Sequence, residues 1–286
     1  MEYREFGQTG MHLSAVGLGG LLAHYWEGET GHPPAEEKRL IYLRAAELGI
    51  NLFDMGYGDE VHIPTELKGA HGDRFFSLKV GAPIAQDLED TVDRHLTNVQ
   101  RDALDILRVH HCSYLKDEAL RERIAALKQA GKVRALCLIR HFEKDQELYR
   151  QKGAEPVADA DLVIYNYVCR HQEPGIEQAA ATGKGVLVMK ALGGQYLSWV
   201  HKNCTDWTTA SVETLIQLSP LGESMRHEID LVYSFSAGPW RELAHPGEDV
   251  AETGPAVSWV LRNKGVSSAL VAVASVAELD SALACM

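Results

Sequence analysis

The chain has 286 residues, of which 45% are hydrophobic and 24% charged, which is the usual composition of a globular protein and excludes wholesale disorder. Its 40 acidic and 28 basic residues give a net charge of −12. This charge argues against nucleic acid or an anionic membrane as a partner, because both attract basic surfaces. No apolar run is long enough to span a membrane, and the first twenty residues lack the pattern of a signal peptide.

Cysteine usage points to a reducing compartment. The five cysteines have no paired spacing, so they form neither a disulfide framework nor a zinc-binding motif. We therefore expect a cytoplasmic protein that acts on a small molecule and holds no metal.

Short apolar segments alternate with helical patterns along the chain. The predicted strands are 15–20, 50–53, 75–80, 106–109, 133–139, 162–165, 185–189 and 268–273. The predicted helices are 33–47, 87–99, 117–130, 174–181, 255–263 and 276–284. Parallel strands that alternate with helices in this way close into an eight-stranded barrel of about 250 residues. The sequence therefore predicts an α/β fold, a single (β/α)8 TIM barrel over residues 1–286.

One long stretch does not fit the alternation. Residues 195–250 lie between the seventh predicted strand and its helix, and they contain Trp199, Trp207 and Trp240. An insertion of this length in a compact domain is usually a lid or a binding loop, so Trp199 is a candidate substrate contact. The alternative is an excursion that packs its own aromatic side chains.

Polar residues follow six of the predicted strands. They are Asp54, Lys79, His110, Arg140, Asn166 and Lys190. Active sites of such barrels lie at the C-terminal ends of the strands, so we expect these side chains to converge on one mouth. His111 and His141 follow two of them and add to a cationic character. On a protein of net charge −12, a cationic mouth indicates a small anionic substrate.

Several motifs, in their order along the chain, resemble the aldo-keto reductase superfamily. They are Tyr3-Arg4-x-Phe6-Gly7-x-Thr9-Gly10, Gly17-Leu18-Gly19, Gly49-Ile50-Asn51-x-Phe53-Asp54, Lys79-Val80-Gly81, Tyr165-Asn166, Leu192-Gly193-Gly194 and Trp259-Val260-Leu261. The resemblance spans the whole chain and implies a barrel preceded by an N-terminal β-hairpin. It also implies carbonyl reduction with NADPH by an Asp, Tyr, Lys and His tetrad, in which the tyrosine donates the proton.

Three members of that tetrad are in register as Asp54, Lys79 and His110. In such a tetrad the lysine stabilises the phenolate, the aspartate holds the lysine and the histidine orients the carbonyl. The tyrosine is out of register, because the family spacing from Asp54 falls on Asp59, whereas Tyr57 comes two residues earlier. Tyr57 is the candidate proton donor, and Asp59 is either a substrate contact or the residue in the donor's place.

The family's cofactor contacts have no match in this sequence. Ile139 and Arg140 stand where the resemblance implies Ser-Asn, Leu162 stands where it implies Gln, and no cation occupies position 274. Each missing charge-assisted contact costs about 1.5–3 kcal/mol. We therefore expect no bound cofactor, with NADPH as the alternative.

Three functions are compatible with these residues. The favoured interpretation is an enzyme that has lost NADPH and uses acid/base chemistry on a small, anionic carbonyl or imine compound, of lyase, dehydratase, isomerase or cyclase type. The second is an NADPH-dependent carbonyl oxidoreductase. The third is a non-catalytic binding protein on the same barrel. Cofactor titration separates the first two, and substrate turnover separates both from the third.

Overall fold

The structure is a computed structural model that describes residues 1–19, 35–55, 62–69, 73–80, 85–166, 170–192, 253–273 and 275–286. The predicted lid at 195–250, with Trp199, lies outside these residues. Tyr57 and Asp59 lie outside them as well, so the roles assigned to all of these from the sequence stay predictions.

A short antiparallel hairpin opens the chain, formed by β1 (Tyr3–Glu5) and β2 (His12–Ser14). Its turn lies against the backbone of Gly183 and Gly185, at the beginning of one of the barrel strands. A Cβ on Gly7 would lie 2.5 Å from the Gly185 backbone nitrogen, and Gly7 also has a φ of +55°. Only glycine fits there, because both the contact and the dihedral angle exclude a side chain. The hairpin thus lies at the N-terminal end of the barrel.

Eight parallel strands of the described residues close into a barrel. They are β3 (Val16–Leu18), β4 (Leu52–Met55), β5 (Phe75–Lys79), β6 (Leu104–His110), β7 (Val133–Arg140), β8 (Ala160–Ile164), β9 (Gly185–Met189) and β10 (Ser268–Val271). Neighbours follow the order of the chain, and β10 closes the barrel against β3. This confirms the predicted α/β barrel with its N-terminal hairpin.

Helices alternate with the barrel strands along the chain. They are α1 (Ala35–Glu47), α2 (Leu88–Val99), α3 (His111–Lys116), α4 (Glu118–Gln129), α5 (Glu143–Lys152), α6 (Glu173–Ala181), α7 (Gly254–Leu261) and α8 (Val276–Leu283), with a short 3-10 turn at Thr65–Leu67. No helix in the described part of the chain is long and apolar enough to cross a membrane. The sequence did not indicate α5, because the residues it buries include Asp145 and Gln146 rather than an apolar stripe.

The inside of the barrel changes character along its axis. Alternate side chains of each strand point inward. The apolar part of this inward set includes Leu52, Phe75, Ile106, Ala135, Leu162 and Leu187. Towards the C-terminal ends of β4, β5 and β6, the inward side chains become polar: Asp54, Ser77, Lys79, Arg108 and His110. An apolar floor therefore supports a polar layer at the C-terminal mouth.

Candidate active site

Four of the predicted site residues come together at the C-terminal mouth. Lys79 ends β5, His110 ends β6, and His141 and Lys190 directly follow β7 and β9. The rings of His110 and His141 meet edge-on, with their centroids 6.3 Å apart. Lys79 acts electrostatically on both rings, and Lys190 acts on His141. The strand ends thus build a compact group of two imidazoles and two ammonium groups.

Both imidazoles of this group are neutral at pH 7. Burial, reinforced by the charge of Lys79, lowers the pKa of His110 to about 4. Burial, reinforced by Lys190 and Lys79, lowers the pKa of His141 to about 3. A neutral imidazole keeps one N–H donor and one acceptor nitrogen. His110 is therefore suited to donate a hydrogen bond to a substrate oxygen without acting as a strong acid.

The ring of His110 also contacts Phe142, whose centroid lies 5.2 Å away. Phe142 is 49% exposed, which is unusual for a phenylalanine. Among the described residues, the buried Nδ1 atom of His110 has no hydrogen-bond partner. A polar atom of this kind, beside an exposed aromatic ring, fits a site completed by a ligand.

Asp54 lies beneath the mouth in an ion pair with Arg108. The Asp54 Oδ1 atom is 2.5 Å from the Arg108 Nη2 atom, and both side chains are almost wholly buried. Burial raises the pKa of Asp54, while Arg108, Ser77 and Lys79 act in the opposite direction. The resemblance gives Asp54 a lysine as its partner, and the structure adds an arginine to that arrangement.

The backbone of Lys190 is held in an uncommon conformation. Its φ is +57°, in the left-handed region that non-glycine residues rarely occupy. The side-chain amide of buried Asn166 donates a hydrogen bond of 3.0 Å to the Lys190 carbonyl oxygen. Strained backbone of this kind is concentrated at functional sites. Asn166 therefore holds the Lys190 backbone, and its role as a substrate contact stays a prediction.

Arg140 does not reach the mouth, which corrects the prediction that it contacts substrate. Its side chain is fully buried, and the Nε atom lies 2.6 Å from Asp161 Oδ1. The guanidinium also lies over the ring of Tyr149 in α5, 5.3 Å from its centroid. Strand alternation explains the placement, because Cys137 and Ile139 of β7 point into the barrel and Arg140 points towards the helices.

His111 is also placed away from the mouth, which corrects a second predicted substrate contact. It begins α3, and its fully buried ring lies between two carboxylates. Its Nδ1 atom is 2.8 Å from Asp145 Oδ1, and its Nε2 atom is 2.9 Å from Glu155 Oε1. The strand β6 ends at His110 and the chain turns into α3 at His111, so the two neighbouring side chains lie in different surroundings. His111 joins α3 to α5 and to the segment that follows it.

Sequence reasoning missed Arg108 and Phe142. Arg108 lies two residues before His110 and therefore points to the same face of β6. An arginine inside an otherwise apolar strand was the available signal, since a fully buried arginine needs a counter-ion. Phe142 gave no such signal. Among the described residues, no group of three His, Cys, Asp or Glu side chains lies close enough to hold a metal ion.

Comparisons with known proteins agree with this architecture. Residues 16–286 match the Aldo/keto reductase family. L-galactose dehydrogenase of Arabidopsis thaliana is 24% identical over 318 aligned positions, which cover 99% of this chain and 88% of that protein. A Pseudomonas aeruginosa structure described as an aldo-keto reductase has 25% identity and a TM-score of 0.55, covering 82% of this chain and 95% of that one. The holo form of an aldo-keto reductase from Bacillus halodurans, at 18% identity and a TM-score of 0.66, covers 100% of this chain and 90% of that chain and shows the same fold.

These matches overturn the prediction that the protein uses no cofactor. Members of the matched family reduce carbonyls with NADPH, and the plant relative is a dehydrogenase. The prediction depended on the residues at positions 139, 140, 162 and 274: Ile139 and Leu162 are buried in the inner apolar cluster, Arg140 faces the helices, and position 274 lies outside the described residues. From its fold, its order of motifs and the match over residues 16–286, the chain belongs to the aldo/keto reductase family.

Proposed function

We propose that the protein is an NADP(H)-dependent oxidoreductase that interconverts a carbonyl group and an alcohol on a small polar molecule. The observation that carries this proposal is the neutral His110 imidazole close to the Lys79 ammonium group, at the mouth of a barrel of this family. A neutral donor and a nearby cation are what a carbonyl oxygen needs as it gains negative charge.

The described residues fit the reactive end of such a site. His110 donates a hydrogen bond to the carbonyl oxygen and fixes its direction. Lys79 stabilises the negative charge that develops on that oxygen, and the Asp54–Arg108 pair lies beneath it. NADPH, when bound, would supply the hydride, and Tyr57, the donor predicted from the sequence, would supply the proton that completes the alcohol. His141 and Lys190 are the described groups that would contact the cofactor or the substrate, because they flank the same mouth.

The charge of the mouth bears on the substrate class. Among the described residues at the mouth, Lys79 and Lys190 carry positive charge on a protein of net charge −12, which favours an anionic ligand there. The plant relative is named for a sugar, which is small and rich in hydroxyl groups. We propose a small hydroxy- or oxo-compound that carries a negative charge. Two aldehydes that differ in charge, such as 4-carboxybenzaldehyde and 4-nitrobenzaldehyde, together with L-galactose in the oxidative direction, test this preference.

Turnover of NADPH with such a panel tests the reaction itself. We expect the absorbance of NADPH to fall when an aldehyde is added, and Lys79→Met to abolish this. Lys264→Met is the matched control, because that side chain is 76% exposed on the hairpin side of the molecule and should leave the rate unchanged. Turnover that needs no nicotinamide cofactor, or equal loss in both variants, would contradict the proposal.

A further inference from the structure

Arg108 is an uncommon residue for the inside of a barrel. It lies in the middle of β6, among Ile106 and other apolar residues, and its side chain is only 4% exposed. A buried guanidinium is costly unless a carboxylate neutralises it. Asp54 supplies that carboxylate, because its Oδ1 atom lies 2.5 Å from the Arg108 Nη2 atom. Such a pair is weak evidence for stability, since apolar side chains of the same volume would often serve as well. A role at the site above it gives a better reason for its presence.

The topology makes Arg108 a neighbour of Lys79. The two residues are in register on the adjacent strands β6 and β5, and Asp54 is in register with Ser77 on β4 and β5. The Arg108 side chain therefore crosses the inside of the barrel, past β5, to meet the Asp54 carboxylate. The groups that act on Asp54 from the surrounding strands are Arg108, Ser77 and Lys79, with Cys137 of β7 also within electrostatic reach.

The two cations differ in how they can act on that carboxylate. Of the two, Arg108 has the larger effect on Asp54. A guanidinium keeps its charge at any pH at which the protein is folded, whereas a lysine ammonium group can lose a proton. If Lys79 were the main partner, loss of its proton would remove the charge that favours the ionised form of Asp54 and would raise the pKa of that carboxyl. With Arg108 in contact, the charge of Asp54 is insulated from events at Lys79.

We propose that Arg108 is a positioning residue of the active site. Its guanidinium, and not the Lys79 ammonium group, is the principal counter-ion of Asp54, and it keeps that carboxylate ionised whatever happens at Lys79. Among the described residues, the Asp54 carboxylate and the Arg108 and Lys79 cations together carry one net positive charge. That charge stabilises a negative oxygen bound above it. The effect of Arg108 on turnover rests on the proposed function, whereas the ionisation of Asp54 is a property of the protein without substrate or cofactor.

The ionisation of Asp54 can be measured without cofactor or substrate. The carboxyl ¹³C resonance of Asp54, assigned by its loss in Asp54→Asn, is followed from pH 4 to pH 9 in the wild type and in Lys79→Met. We expect Asp54 to remain ionised at pH 7 in Lys79→Met, with its midpoint within about one pH unit of the wild type. If the midpoint instead rises by two units or more, so that Asp54 takes up a proton near neutral pH, Lys79 is the principal partner and the proposal is wrong.

The converse variants remove the guanidinium. In Arg108→Met we expect the Asp54 midpoint to rise by at least two units, and in Arg108→Lys, which keeps the charge, to return towards the wild type. Arg140→Met is the matched control, since it breaks an equally buried arginine–aspartate pair on the helix-facing side of the same barrel. An unchanged midpoint in Arg108→Met, or the same shift in both methionine variants, would overturn the proposal.

If Arg108→Met does not fold, the measurement on Lys79→Met still decides which cation is the principal partner. Lys79 is only half-buried, so its replacement should leave the protein folded. Where turnover is measurable, the lower apparent pKa of the pH–rate profile should rise in Arg108→Met and be unchanged in Arg140→Met. If NADPH turnover is never found while Asp54 behaves as expected, the proposed function fails and the assignment of Arg108 stands.

Discussion

Arg140 is buried in an ion pair with Asp161, whereas the sequence indicates a substrate contact. Replacing Arg140 distinguishes these two roles, because one predicts a loss of stability and the other a loss of substrate affinity. Both side chains are almost completely inaccessible, and Arg140 Nε lies 2.6 Å from Asp161 Oδ1. In Arg140→Met the Asp161 carboxylate stays buried without its partner. Breaking a buried pair from one side costs about 3–5 kcal/mol. For a domain somewhat smaller than this one, each kcal/mol lowers Tm by about 2–4 °C, so we expect a loss of roughly 6–20 °C.

The loss should depend on pH with a definite sign. Burial raises the pKa of Asp161 from its ordinary value of 3.8 to about 6, against the effect of Arg140. A carboxyl whose pKa is raised in the folded state destabilises the fold as pH increases through that value. Without Arg140 the pKa of Asp161 rises further. The destabilisation of Arg140→Met should therefore be larger at pH 8 than at pH 5, where a proton can neutralise the carboxylate.

Thermal unfolding at the two pH values, combined with steady-state kinetics at a temperature where the variant is folded, checks this prediction. The double variant Arg140→Met/Asp161→Leu removes both charges and should recover most of the lost stability. KM for a charged aldehyde should not change in the single variant. If Tm is unaltered and KM rises instead, Arg140 contacts substrate and its burial against Asp161 does not describe the protein in solution.

Three further predictions concern the mouth and its surroundings. Lys79→Met should lower kcat/KM by about 10²–10⁴ with an unchanged circular dichroism spectrum, and near-normal turnover would place the chemistry elsewhere. Burial lowers the pKa of His110 to about 4, so its imidazole NMR signals should show no titration between pH 6 and 8, and a midpoint near 6.5 would contradict its neutrality. His111→Gln should destabilise the fold by removing the buried ring whose two nitrogens contact Asp145 and Glu155, while kcat/KM stays within about twofold.

The barrel could be predicted from the sequence because its strands are short apolar segments bounded by glycines and by helical patterns. The strand at 185–189 was predicted with the bounds that the structure has, and the helix at 87–99 differs by one residue. Two helices, α3 and α5, were not predicted from the sequence. In α5 the buried face carries Asp145 and Gln146, and α3 is a single short helix that begins directly at the end of β6. Neither has the apolar periodicity on which a sequence-based prediction depends.

Placement of individual site residues was less predictable, because a sequence shows where a strand ends but not which face a side chain takes. Lys79 and His110 fall on the inward face, whereas Arg140, at the end of an equally apolar strand, falls on the outward one. A shift of one residue moves a side chain to the other face of a sheet. Arg108 was overlooked because it lies inside a strand rather than after it.

Binding of NADPH to the purified protein tests the central claim most directly. Isothermal titration calorimetry on the wild type, with Lys264→Met as a control for folding and charge, gives the dissociation constant without any assumption about the substrate. We expect a one-to-one complex with Kd in the micromolar range, equivalent to about −8 kcal/mol. A Kd weaker than about 1 mM for both NADPH and NADP⁺, roughly −4 kcal/mol, would contradict an NADP(H)-dependent oxidoreductase on this barrel.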